Sequence, residues 1–218
     1  MKWKAKNKCA CALIVPDNED FNFLPLAKSL GYENIKLLLN LSLSWQIRTL
    51  KYLHTATDCD LYVYIYGTNP LKRKDELKKQ LQPVKPFCRS KKSMGIASDR
   101  MSLILDELSK KYFRSVVWNI ESPLLTEEHL LRAIQTNILL KLESTQSRPL
   151  LLSHGVYSDM IETVELEKIV LPSFYDLHSI ADIIANMNCN NTSKDRTLEL
   201  GRYVDLIRRN HPDEKAFY

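Results

Sequence analysis

Gly95–Gln135, GIASDRMSLILDELSKKYFRSVVWNIESPLLTEEHLLRAIQ, is the stretch whose reading decides the fold. Met101, Ile104, Leu105, Leu108 and Tyr112 recur at three- and four-residue spacing, the period of a helix with one buried face. Ser98 is placed to cap that helix, and Lys110 and Lys111 suit its negative C-terminal end. Ser115–Ile120, SVVWNI, then predicts a short strand rich in β-branched and aromatic residues. Asn119, Glu121 and Ser122 form a polar end to it, and Pro123 steers the chain away from helix. Thr126 is the expected N-cap of a second helix, with Glu127 and Glu128 in its first turn and an apolar stripe of Leu130, Ile134, Ile138 and Leu142. In open α/β sheets ligands gather at the carboxyl ends of strands, so the Glu121 carboxylate marks a candidate site.

Upstream, CALIV predicts a strand broken at Pro16. Nucleotide-binding α/β proteins often place a glycine-rich loop there, because glycine lets the backbone approach phosphate. Here the segment is PDNEDFNF, with Asp17, Glu19 and Asp20 and no glycine, which reads as a surface loop with Asn18 or Asp20 capping a helix through Ser29. Gly31 is placed to end that helix in the left-handed conformation. NIKLLLNL is ambiguous between strand and helix, whereas Ser44–His54 reads as helix with Ile47 and Leu50 turned inward. In DLYVYIYG, tyrosines alternate with Leu61, Val63 and Ile65, predicting a strand with two unlike faces and its tyrosines packed under a helix. The expected sheet is therefore mostly parallel, containing Ala10–Val15, Leu61–Tyr66 and Ser115–Ile120, with helices on both faces.

KRKDELKKQLQ reads as an exposed helix whose Lys72, Arg73, Lys74, Lys78 and Lys79 are solvated. PVKPFCRSKKSMG reads as a loop that brings Lys85, Arg89, Lys91 and Lys92 to the start of the next helix, either an anion site or a plain exposed loop. Arg148–Ser153 predicts another strand. KIVLPSFYDLHSIADIIANM predicts a short extended piece, a polar turn through Asp176 and His178, and a helix from Ser179. LELGRYVDLIRRNH predicts a terminal helix.

The whole chain, residues 1–218, is long enough for one domain with a substantial core. Its hydrophobic share of 44% and charged share of 26% are those of a soluble globular protein. No apolar run approaches the ~18 residues of a membrane span, and ALIV is too short for a signal peptide, so a cytoplasmic location is expected. The net charge of +5 is modest and interspersed with acids, unlike the basic stripe of a nucleic-acid binder. Cys9, Cys11, Cys59, Cys88 and Cys189 show no zinc-like spacing and read as reduced structural thiols, with Cys9 and Cys11 on one face of a strand.

Two stretches resemble a known family. GIASDRMSLILDELSKKYFRSVVWNIESPLLTEEHLLRAI is similar to a segment of radical-SAM/selenodomain-associated glycosyltransferases, in which a Gly-x-Arg-Met-like helix start precedes an apolar strand and a Gly-Ser-Asp-x-Pro-x-Leu turn. LPSFYDLHSIADI resembles their late Leu-Pro-x-x-Tyr-Asp-Val-Asp-Thr-Pro-x-Asp-Leu motif. Together the two cover about a quarter of the chain. The resemblance implies a GT-A fold, a three-layer α/β/α sandwich with a mostly parallel central sheet, and transfer from a nucleotide sugar aided by Mn²⁺ or Mg²⁺. Carried over residue by residue, it gives Glu121 and His178 as metal ligands and Asp176 as the catalytic carboxylate. Arg100, in the first of these stretches, could then reach the phosphates, and the basic loop, through Arg89 and Lys92, would add positive charge beside them.

The departures are specific. Glu121 stands where the family has Asp, Asn119 where it has glycine, and His178 where it has its second Asp. The N-terminal phosphate motif and the Asp-Gly-Gly-Tyr-Tyr stretch are missing. Glu121 could equally pair locally, His178 could cap the helix at Ser179, and Arg100 could pair with Asp99 or Glu121. Three function classes follow: a divergent nucleotide-sugar transferase, a binding or regulatory protein on a degenerate GT-A scaffold, and another nucleotide-handling α/β enzyme such as a nucleotidyltransferase. PDNEDFNF argues against the last, which needs a basic glycine-rich loop there.

Overall fold

In chain order the elements are β1 (Asn7–Pro16), α1 (Tyr32–Ala56), β2 (Asp60–Gly67), α2 (Pro70–Leu77), β3 (Lys85–Ser90), α3 (Ala97–Ser109), β4 (Tyr112–Asn119), α4 (Glu127–Gln135), β5 (Leu139–Ser144), β6 (Pro149–Gly155) and β7 (Leu166–Leu171). The computed structural model describes residues 7–17, 31–82, 84–90, 97–122, 125–135, 139–144, 149–155, 166–171, 201–202, 205–206 and 209. Its strands form one seven-stranded sheet in the order β3-β2-β1-β4-β6-β5-β7. β3, β2, β1 and β4 run parallel; β6 is antiparallel to both β4 and β5, and β7 is parallel to β5. Among the described strands only β6 therefore opposes the rest, and the mostly parallel α/β architecture expected from the sequence is the one observed.

Side-chain alternation divides the core in two, because successive residues of a strand face opposite sides. Leu13 and Val15 of β1, Val63 of β2 and Trp118 of β4 share one cluster with Leu39 and Leu50 of α1, Leu77 of α2 and Leu130 of α4. Ala12, Ile14, Tyr62, Tyr64, Tyr66 and Val117 share the other with Met101, Ile104 and Leu108 of α3. The tyrosine row thus packs under a helix, as its alternation predicts. Ala12 stands opposite Tyr62 in the register, and its small side chain leaves room for the ring. Full burial of each Leu, Val or Ile contributes roughly 1.5–3 kcal/mol, so these two faces fix where the helices lie.

Several expectations change. NIKLLLNL is not a strand: it is the first half of α1, one 25-residue helix. There Ile35, Leu38 and Leu39 are buried while Leu37 is exposed. Gly31 precedes α1 with φ 76 and ψ 159, a positive φ but not the left-handed helical cap; the helix through Ser29 lies outside the described residues. Ser98 is inside α3 and does not precede it, and Tyr112 opens β4. Thr126 does stand immediately before α4, and its N–H reaches His129 Nδ1 at 3.2 Å. The helical stripe stops at Ile134, however, because Leu142 belongs to β5. KPFCRS is a strand rather than a loop; as an edge strand, β3 tolerates Pro86, which has no N–H to donate. Arg73 is buried and not solvated: it donates to Asn40 Oδ1 at 2.8 Å and pairs with Glu76 at 3.0 Å. Arg148–Ser153 largely matches β6, and the extended piece beginning KIVL falls in β7. No helix among the described residues is long and apolar enough to cross a membrane.

Candidate functional site

α1 and α2 lie on one face of the sheet and α3 on the other. The chain winds outward from β1 to β2 and β3, then crosses back to β4 on the far side of β1. The strand order therefore reverses between β1 and β4, and the crevice outside their carboxyl ends is where such sheets bind ligands. The residues at that rim follow from the register: Pro16 pairs Tyr66, Tyr66 pairs Arg89, and Ile14 pairs Asn119.

Asp17, the residue after β1, is buried, not part of an exposed acidic loop. Its N–H donates to Tyr66 O at 2.8 Å, and its Oδ2 accepts the Asn69 N–H. Gly67 makes this possible. Its φ is +144, a conformation that side-chain-bearing residues rarely adopt, and a Cβ built there would overlap the Asp17 carboxyl group. Beside it the Arg100 guanidinium lies 4.0 Å from the centre of the Tyr66 ring, close enough for a cation–π contact. Arg100 belongs to the first turn of α3, so the helix start and the end of β2 present one cation over one aromatic face.

Glu121 lies in the turn after β4 and is 7% exposed. That turn is held by α1. Ile120 N–H donates to Ile14 O at 3.1 Å, keeping the chain beside β1. Ser42 Oγ donates to Ile120 O at 2.6 Å, and Gln46 Nε2 donates to Ser122 O at 3.1 Å and Leu125 O at 3.3 Å. The Trp118 indole N–H in turn donates to Gln46 Oε1 at 2.9 Å. Thr49 Oγ1 donates to Glu127 Oε1 at 2.6 Å, tying the start of α4 to the same helix. One side of α1 thus fixes the backbone on which Glu121 stands. Ser122 Oγ, also buried, has no hydrogen-bond partner among the described residues.

Of the residues singled out in the sequence, the structure brings Glu121, Arg100 and the backbone of Arg89 to one end of the sheet. Lys92, Asp176 and His178 lie outside the described residues. Sequence reasoning missed Ser42 and Gln46, polar residues on the buried side of a helix whose partners are more than 70 residues away. It also missed the burial of Asp17, for which the glycine ending DLYVYIYG is the available signal.

Among solved structures, the chain is similar to a crystal structure assigned as a nucleotide-diphospho-sugar transferase from Desulfovibrio desulfuricans G20. The TM-score is 0.69 at 15% identity, over 94% of this chain and 98% of that one. It also has a weaker likeness to 4-diphosphocytidyl-2C-methyl-D-erythritol synthase from Anaerococcus prevotii DSM 20548. There the TM-score is 0.47 at 9% identity, over 91% of this chain and 99% of the other. No protein-family model matches the chain. No curated protein matches it either. The first likeness shows a shared fold.

Proposed function

We propose that the chain binds a nucleotide sugar at the carboxyl end of the sheet and transfers the sugar to an acceptor. The observation supporting this is the grouping of the Glu121 and Asp17 carboxylates and the Arg100–Tyr66 contact at adjoining strand ends about the switch point. They sit on a fold shared with a protein assigned to nucleotide-diphospho-sugar transfer. A diphosphate carries about three negative charges, and a guanidinium at ~4 Å attracts each by about 4 kcal/mol at an effective dielectric constant near 20. Arg100 is positioned by Tyr66 to serve in that way.

Two buried carboxylates would oppose the same diphosphate unless a cation lay between them. Their oxygens are the hard donors that Mg²⁺ and Mn²⁺ prefer, so the residues present fit such an ion, with Glu121 as a ligand. Bound there, the ion would supply charge neutralisation for a departing diphosphate. In this reading His178 is the second protein ligand, Asp176 the catalytic carboxylate, and Arg89 and Lys92 add positive charge near the phosphates. Calorimetry with a panel of nucleoside diphosphates and nucleotide sugars, with and without Mn²⁺, tests it. Binding should depend on Mn²⁺ in the native protein, and Glu121→Gln should abolish the Mn²⁺-dependent part. Silence at millimolar ligand with Mn²⁺ present would overturn the proposal in favour of a scaffold that kept the fold without the ligand.

A further inference from the structure

The other end of the sheet holds a second chemical cluster. Cys9 and Cys11 lie on the α1 face of β1, and Cys59 immediately precedes β2. Ala10 pairs Asp60 in the parallel register, so one step back along both chains brings Cys59 beside Cys9. The three sulfurs lie within 4.8 Å of one another, all on buried residues, and none is in a disulfide. A cavity of about 440 Å³ opens onto Cys9 and Cys59, with Thr57, Asp58, Phe113, Arg114 and Ile134 completing its lining. Arg114 is paired with Cys9 across β1 and β4, and its guanidinium donates to Ile134 O.

We infer that Cys9, Cys11 and Cys59 form a three-thiolate site for a thiophilic divalent ion, with Zn²⁺ the best fit and its fourth position facing the cavity. Zn–S bonds of ~2.3 Å in a tetrahedral arrangement put sulfurs ~3.8 Å apart. The cluster needs at most about an ångström of closure, which small side-chain rotations supply. Soft sulfur donors disfavour Mg²⁺ and Mn²⁺, which separates this site chemically from the oxygen donors at the opposite end of β1. Charge also selects. Three thiolates around a divalent ion leave one net negative charge beside the Arg114 cation, whereas a monovalent ion such as Cu⁺ leaves two. The local spacing Cys-x-Cys is not a zinc pattern, because the third ligand comes from the neighbouring strand.

The test uses the full chain, reduced and stripped of metal by a chelator, then titrated with Co²⁺. One equivalent should produce thiolate-to-cobalt charge-transfer absorption in the near ultraviolet, and Zn²⁺ should bleach it. Cys59→Ser, placed in the connection before β2 rather than inside a strand, should weaken Co²⁺ binding by well over about tenfold. Cys88→Ser should leave the titration unchanged. Zn²⁺ should also raise the melting temperature of the native chain and not that of Cys59→Ser, a readout independent of the optical one. Absence of charge-transfer absorption from fully reduced protein would overturn the inference, as would an undiminished band in Cys59→Ser. A Cys9–Cys59 disulfide that forms in preference to metal binding would overturn it in favour of a redox pair.

Discussion

Gln46→Met tests the account of how the Glu121 turn is held. Methionine matches glutamine closely in length and volume, so the change leaves little cavity and acts through hydrogen bonds. Gln46 makes three of them: it accepts from the Trp118 indole and donates to the carbonyls of Ser122 and Leu125. Gln46 and Trp118 are 0% exposed and Ser122 is 1%, so water has no ready access to replace them. Each bond contributes about 1 kcal/mol net, and a stranded buried donor or acceptor costs about 1–3 kcal/mol. The loss should therefore be at least about 3 kcal/mol. At about 2–4 °C per kcal/mol for a chain of this size, the melting temperature should fall by about 6–12 °C. Urea unfolding followed by tryptophan fluorescence measures it, with an unchanged slope showing that the native state stays compact. A double-mutant cycle with Trp118→Phe should return a coupling of about 1 kcal/mol for the indole bond. A loss below about 1 kcal/mol in Gln46→Met, or strict additivity in the cycle, would refute the reasoning.

Two further outcomes are expected. Gly67→Ala should destabilise by about 2–4 kcal/mol, combining strain at φ +144 with displacement of the Asp17 carboxyl group, and thermal melting checks it; a melting temperature equal to that of the native chain would contradict the Asp17 packing. Tyr112 donates to Asp60 Oδ2 at 2.6 Å and also contacts the Tyr62 hydroxyl; burial first, and then the Asp60 carboxylate, raise its pKa well above the ordinary tyrosine range. The unfolded chain therefore loses this proton first, so the contribution is intact below about pH 10 and declines above it by about 1.4 kcal/mol per pH unit. Urea midpoints for Tyr112→Phe should show an alkaline decline shallower by that amount, and parallel declines in the two proteins would disprove the coupling.

The parts of this fold legible in the sequence are those where one local pattern meets one kind of neighbour. DLYVYIYG was readable because its tyrosines face α3 while Leu61, Val63 and Ile65 face the cluster that includes α1. SVVWNI was readable because both of its faces are buried. KPFCRS was missed because an edge strand can carry proline and lysine without breaking its single ladder. Ile134 and Leu142 share a helical spacing, yet Ile134 belongs to α4 and Leu142 to β5, and periodicity alone carries no information about where a helix stops. The place of Glu121 just past the end of β4 was legible from its position after a strand pattern. The burial of Asp17 depends on Gly67 from the adjacent strand, and the roles of Ser42 and Gln46 depend on backbone carbonyls far along the chain. Pairing across strands likewise joins Cys59 to Cys9 and Cys11, which no linear spacing rule detects.

The central position of β1 also orders events during synthesis. β1 leaves the ribosome before either neighbour, and β2 is the first partner to reach it. Its other edge, the backbone of Ala10–Ile14, must wait for β4, roughly 50 residues after β2, or about 3–10 s of translation. During that interval a nascent chain holds an apolar strand with one side of its ladder open, the form most able to pair with another chain. Slowing translation between Gly67 and Asn119 should prolong that exposure and so lower the yield of native protein.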